Sequence, residues 1–199
     1  MKQLLALLAL LLVAAPSWAT TRYVAKAGDN GSDANSCAAS ANLAKPKLTL
    51  ASALPCIEAG DTLLIRTGTY VETMRLDTHT VTGTALSRVW IGAYNGEVVT
   101  IAPGGALEHV VVLSSTNDYI TVDGLILDGA STWNTDGAAV FRCYGTCDGI
   151  ILQNSEIKNG PYSGVFFAAG SGNQLLNNHV HTNGIGAGLP GGLGMYLSG

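Results

Sequence analysis

The chain has 199 residues, of which 47% are apolar and only 12% charged, with 25 glycines and a formal net charge of −4. That length holds one domain or a small pair, and the charge balance excludes both a highly charged disordered tail and a basic nucleic-acid or membrane-surface binder. Glycine follows no G-X-Y period, which excludes collagen.

The first segment reads as an export signal. Lys2 gives a positive start, and Leu4 to Ala15 is an unbroken apolar run too short to span a bilayer. Pro16-Ser17-Trp18-Ala19 then supplies small residues for cleavage after Ala19. We expect residues 1–19 to be removed and the mature protein to be secreted or periplasmic, with no membrane span.

The remaining elements follow in order. Asp29, Asn30 and Asp33 place oxygen donors in a glycine-containing loop, a candidate Ca²⁺ site for which an Asx-rich turn is the simpler reading. Lys47 to Glu58 carries Leu50, Ala51, Leu54 and Ile57 on one face after Pro46, which predicts a helix that Pro55 shortens or bends. Short β-branched runs bounded by Gly, Asn and Asp predict strands at 62–66, 89–93, 98–101, 110–113, 119–122, 149–152 and 164–167. All four cysteines, Cys37, Cys56, Cys143 and Cys147, follow the export segment, and an even count in an exported chain reads as disulfides. Three connectivities are open, of which the local one, Cys37–Cys56 with Cys143–Cys147, is expected. A zinc site finds no histidine near either pair at finger spacing.

An internal repeat organises the second half. Segments 120–129, 150–159 and 174–183 each hold an alternating strand, a bend with Gly or Asn, a second short strand, then Asp, Asn or Gly. Val122, Leu152 and Leu176 correspond in this alignment, as do Leu127, Ile157 and Val180. Such repeats fit a solenoid whose coils each add a strand to several parallel sheets, with inward apolar residues stacking between coils. Asn154, Asn159, Asn178 and Asn183 fall at the bends, where Asn tolerates left-handed geometry and can form an amide ladder. An ordinary β-sandwich is the alternative.

Several stretches resemble secreted right-handed parallel β-helix proteins of the pectate-lyase-like superfamily: Tyr23-Val-Ala-Lys-Ala-Gly-Asp-Asn-Gly-Ser-Asp, Gly60-Asp61-Thr62, Gly68-Thr69-Tyr70-Val71-Glu72, Trp90-Ile91-Gly92-Ala93-Tyr94 and Tyr119-Ile-Thr-Val-Asp-Gly-Leu. The resemblance implies an all-β, right-handed parallel β-helix with a short capping helix. Residues 20–60 would form the N-terminal cap and 61–199 the coils, with Cys37–Cys56 stapling the cap loop to the helix. Residues 194–199 read as a strand opening a new coil, so we expect either a longer protein or pairing at that end, including self-association. The superfamily includes lyases, hydrolases, epimerases and non-catalytic surface proteins, so the resemblance does not choose a reaction.

Asn134-Thr135-Asp136-Gly137 resembles a polygalacturonase motif. The carboxylate pair expected one coil later is absent from Lys158 to Gly164, and two-carboxylate hydrolysis needs both groups. A better candidate follows from the repeat. If Leu127, Ile157 and Val180 point inward, then Asp128, Lys158 and His181 form one outward column, and Ile126, Glu156 and His179 another. β-Elimination on a uronate polymer needs a cation to neutralise the carboxylate, a base and a proton donor. Lys158 or His181 would be the base, with Asp128 and Glu156 as Ca²⁺ ligands and Arg142 a candidate to join them; a solvated ion pair is the simpler reading. Trp133, Tyr144, Tyr162, Phe166 and Phe167 are candidates for a sugar-stacking platform, with core packing the simpler reading for Phe166 and Phe167. The expectation is an exported β-helix whose partner is a polysaccharide. As an enzyme it would be a Ca²⁺-assisted lyase. The alternatives are a non-catalytic surface or matrix binder and a hydrolase with acids beyond Gly199.

Overall fold

The computed structural model describes residues 19–103, 109–129, 139–184 and 193–197. Among them, strands β1 to β16, numbered in chain order, fall into three sheets. The first sheet contains β1 (Thr21–Val24), β2 (Thr62–Ile65), β5 (Val89–Ala93), β8 (Ile120–Asp123), β11 (Ile151–Gln153) and β14 (Gln174–Leu176). The second contains β3 (Gly68–Tyr70), β6 (Val99–Ile101), β9 (Ile126–Asp128), β12 (Glu156–Lys158) and β15 (His179–His181). The third contains β4 (Met74–Arg75), β7 (Val111–Ser114), β10 (Ala139–Thr146), β13 (Ser163–Ala169) and β16 (Leu193–Leu197). From β2 onward the chain visits the three sheets in rotation, and each strand pairs in parallel with the strand three places on. This is the winding of a parallel β-helix. A sandwich would be built from antiparallel neighbours instead.

The alternation seen in the sequence becomes stacked rungs. In the first sheet Leu63, Ile91, Val122, Leu152 and Leu175 are successive partners. In the second, Tyr70, Ile101, Leu127, Ile157 and Val180 are. In the third, Met74, Val111, Phe141, Val165 and Met195 complete the set. All of these side chains except Leu175, Val180 and Met195 on the last described coil are buried in one core, and each buried one contributes on the order of 1.5–3 kcal/mol. Leu175, rather than the expected Leu176, continues the first rung. The repeat distance here is 23 residues, against 30 in the coil before. Two adjacent leucines made the register ambiguous, and a one-residue shift sends Leu176 outward, where it is 43% exposed.

The bends divide into two kinds. Asn154, Asn159 and Asn177 take left-handed backbone, with φ of 50°, 58° and 52°. Asn177 Nδ2 donates to Asn154 Oδ1 at 2.9 Å, and Asn154 Nδ2 donates to Asp123 Oδ1 at 2.7 Å, forming the ladder between coils. Asn178 and Asn183, expected at left-handed positions, do other work. Their Oδ1 atoms accept from the N–H groups of Ser155 and Gly160, and their Nδ2 groups donate to the carbonyls of Leu152 and Ile157. The left-handed residues are their predecessors, Asn177 and Thr182.

The helix is shorter than predicted: α1 spans Leu50–Ala53, and a tight turn, Leu54–Cys56, continues it. Thr49 caps it by accepting from Ser52 N. Pro55 lacks the N–H that another α-helical turn requires. Leu50, Ala53, Leu54 and Ile57 pack into the same core as Val24 and Met74. Both local disulfides are present, with Cα–Cα distances of 5.3 Å for Cys37–Cys56 and 6.3 Å for Cys143–Cys147. No helix among the described residues is long and apolar enough to cross a membrane. Residues 1–18, Trp133 and the tetrapeptide 134–137 lie outside the described residues.

Asn117 is fully buried between coils. Its Nδ2 donates to the carbonyls of Leu76 and Val81 at 3.0 and 2.9 Å, and its Oδ1 accepts from Ser114 N at 2.8 Å. Asn117→Ala leaves two buried carbonyls and one N–H without this partner, and we expect it to cost about 3 kcal/mol in urea unfolding. An unchanged midpoint would contradict this role.

Candidate functional site

The outward columns expected on the second sheet are present. Lys158 pairs in register with Asp128 on one side and His181 on the other, and Glu156 pairs with Ile126 and His179. Because Ile157 is buried and strand side chains alternate, Glu156, Lys158, His179 and His181 share the outer face. Glu156 Oε1 accepts from Lys158 Nζ at 2.9 Å and lies 3.0 Å from His181 Nε2. These two hydrogen bonds, Lys158 first, hold the Glu156 carboxyl below the usual carboxylate range. The His179 and His181 rings stack with centroids 4.2 Å apart. Asp128 Oδ1 accepts from Asn159 Nδ2 at 2.9 Å.

The donor set on this face does not fit calcium. Ca²⁺ takes six to eight oxygen ligands. Here the one cluster of His, Cys, Asp and Glu with metal-binding spacing among the described residues is Glu156, His179 and His181, and it is two-thirds nitrogen. The cap loop does not supply an alternative cage. Asp33 Oδ1 accepts from Leu48 N and Thr49 N, both at 3.0 Å, and from Ser52 Oγ, while Oδ2 accepts from Thr49 Oγ1. Burial opposes the Asp33 charge, but the hydrogen bonds from Ser52, Thr49 and Leu48 outweigh it and lower the pKa. Asp33 therefore ties the loop to the start of α1. Asp29 sits in the tight turn Ala27–Asp29, closed by backbone hydrogen bonds and followed by left-handed Asn30.

A second surface was only partly legible in the sequence. Arg142 does not join the Lys158 face, because β10 belongs to the third sheet. There Arg75, Val112, Arg142, Phe166 and Tyr196 are successive partners across five strands. The Arg142 guanidinium lies 4.2 Å from the Tyr144 ring centroid and 4.7 Å from that of Phe166. Phe166 in turn stacks on Tyr196, with centroids 4.8 Å apart and planes at 12°. Phe166 and Phe167, expected in the core together, point to opposite faces; only Phe167 packs inside, against Phe141.

Sequence reasoning gave His109 no role. It is 7% exposed, lying behind the 45%-exposed Tyr144. Its Nε2 is 2.7 Å from the Tyr144 hydroxyl, and its Nδ1 is 2.9 Å from both the carbonyl and the N–H of Ala139. Ala139 thus accommodates either neutral tautomer. With Nδ1–H on the carbonyl, Nε2 accepts the phenol proton; with Nδ1 accepting from the N–H, Nε2–H donates to the phenol oxygen. The hydrogen bond between the ring and the phenol can run in either direction. Only the pairing of strands 30 residues apart creates this contact, so no local motif marks it.

Burial lowers the His109 pKa from 6.5 to about 4, against the smaller raising effect of its hydrogen bond to Ala139. The unfolded chain takes up this proton as pH falls below 6.5, while the folded chain resists until about 4. Stability from this group is therefore complete above 6.5 and declines toward 4, by on the order of 3 kcal/mol. Unfolding midpoints measured from pH 7 to pH 4 should fall less steeply for His109→Gln than for the parent. Parallel curves would contradict a neutral buried ring.

No family model matches the chain, and no curated protein matches it. Among solved structures, an alginate lyase from Paenibacillus sp. str. FPU-7 superposes with a TM-score of 0.54 at 20% identity, over 74% of this chain and 48% of that one. A GH136 lacto-N-biosidase from Eubacterium ramulus matches with a TM-score of 0.47 at 15% identity, over 79% of this chain and 34% of that one. The chain spans about half the length of the alginate lyase, and at this identity the likeness is one of fold.

Proposed function

We propose that this chain is an exported, polysaccharide-active β-helix protein of the right-handed type, and that it cleaves an acidic polysaccharide by β-elimination. The observation that carries the reading is the Tyr144–His109 pair beside Arg142 on the outer strip of the third sheet. In a uronate polymer, elimination removes the proton on the carbon next to the carboxylate. The released electron pair forms a double bond to the adjacent ring carbon, whose bond to the glycosidic oxygen breaks, and that oxygen leaves with a proton. Arg142 places positive charge where the carboxylate develops enolate character. Tyr144 Oη gives its own proton to His109 Nε2 as it takes the one from carbon, passes the latter to the leaving glycosidic oxygen, and then recovers its own from His109. Phe166 and Tyr196 offer faces for neighbouring sugar rings.

Other features support parts of the reading. The alginate lyase with a similar fold makes an acidic glycan a natural first substrate class to test. The signal-like segment and two disulfides suit an oxidising compartment outside the cytoplasm. Leu175, Val180, Met195 and Leu197 leave an apolar edge on the last described coil, where further coils or a second copy would stack. Lys158 or His181 is a second choice of base, with Asp128, Glu156 and His179 around it, supported by the Glu156 contacts to both. The aromatic strip equally supports a second reading, a non-catalytic surface or matrix binder.

Incubation with alginate or polygalacturonate, followed by the ultraviolet absorbance of the unsaturated product, tests this. We expect turnover that drops by about 100-fold or more in Tyr144→Phe and persists in Lys158→Ala and His181→Ala. The reverse pattern would move catalysis to the second sheet. Retardation in affinity electrophoresis without any product, lost in Tyr196→Ala, would establish the binder instead.

A further inference from the structure

The chain contains four histidines, and two of them, His179 and His181, stand two residues apart on the outer face of β15. Glu156 is the register partner of His179 on the neighbouring strand. One ligand atom from each of the three lies within 4.8 Å of the others. A tetrahedral ion with bonds of ~2.0–2.1 Å holds its donors ~3.4 Å apart, so closure asks for a small adjustment of side chains that are exposed or half-exposed, with no movement of the strands.

Orientation supports the same reading. His181 Nδ1 lies 2.9 Å from the Thr182 hydroxyl, while its Nε2 faces Glu156 Oε1 at 3.0 Å. A metal-bound imidazole is held in this way, by a hydrogen bond on the nitrogen that does not bind the ion. Thr182 is itself fixed in left-handed backbone, with φ of 52°. Glu156 Oε1 already receives a cation, the Lys158 ammonium at 2.9 Å. That position therefore accepts positive charge in the fold as it stands.

We infer that Glu156, His179 and His181 form a binding site for a divalent transition metal of the zinc type, with Lys158 as the cation that competes for Glu156. Two imidazoles and one carboxylate suit zinc, cobalt, nickel or copper, whereas calcium prefers an all-oxygen shell. Three protein ligands leave the fourth position open to solvent, the arrangement of a metal that takes an exogenous ligand. The site stands apart from the Tyr144–His109 centre of the lyase reading and shares residues only with its second choice of base; metal binding is measured without turnover.

The test is calorimetric titration of the untagged full chain with Zn²⁺ and with Ca²⁺, together with the visible spectrum on adding Co²⁺. We expect one Zn²⁺ per chain, a tetrahedral Co²⁺ band, and no displacement by excess Ca²⁺. His179→Gln and His181→Gln should each weaken Zn²⁺ by roughly tenfold or more, with unchanged circular dichroism in the absence of metal. His79→Ala should bind like the parent, and Lys158→Met should bind several-fold more tightly. Absence of saturable binding, equal affinity in the His→Gln variants, or displacement by Ca²⁺ would overturn the site. Unchanged affinity in Lys158→Met would overturn the competing role of that lysine.

Discussion

Parallel stacking of each coil on the one before it is the constraint on which the rest of this structure depends. A short strand such as Ile151–Gln153 or Glu156–Lys158 has only three residues, too few to be stable alone. It becomes stable because its neighbours above and below present matching backbone groups and matching apolar side chains. Ile157 illustrates this: it lies between Leu127 and Val180 in register, fully buried. The hydrophobic gain and the backbone hydrogen bonds arise at the same contact, so loss of register would forfeit both.

The bends must then be uniform enough to return every strand to its sheet. Asparagine serves this in two distinct ways. At Asn154 and Asn177 it tolerates left-handed backbone and links coils through its amide. At Asn178 and Asn183 the side chain stands in for a backbone partner, joining an N–H and a carbonyl that the bend would leave unmatched. Buried Asn117 extends the second role to a longer connection, where it satisfies carbonyls of Leu76 and Val81. Polar groups at these corners complete the interior hydrogen bonding that the apolar rungs cannot.

With the core committed inward, the alternate residues are released for chemistry, and the same stacking brings them together. On the second sheet it gathers Glu156, Lys158, His179 and His181, a compact polar face with an internal ion pair. On the third sheet it sets Arg142 on Tyr144 and Phe166, and Phe166 on Tyr196. The two faces differ in kind. One is rich in metal-binding donors; the other combines a cation, aromatic surfaces and a buried neutral imidazole behind a phenol.

The sequence by itself determined the all-β repeat pattern and the Asp128–Lys158–His181 and Glu156–His179 neighbours. Period-two alternation and a repeat of similar segments suffice for these, because parallel stacking places equivalent positions side by side. The sequence favoured parallel coils over a sandwich and the local disulfide pairing over two others, and the fold decided both. Tertiary structure decided what local pattern leaves degenerate. It chose Leu175 over Leu176 for the core, since either leucine satisfies the composition of a rung and only the pairing with Leu152 separates them. It turned Phe166 outward and Phe167 inward, since adjacent strand residues must take opposite faces and the register with Tyr196 and Leu197 sets which. It assigned Asp33 to the start of α1, because the donors at Leu48, Thr49 and Ser52 reach it only once the loop has folded back. Above all it made the His109–Tyr144 pair: His109 stands just ahead of β7 and Tyr144 on β10, so the two meet only through the lateral stacking of coils.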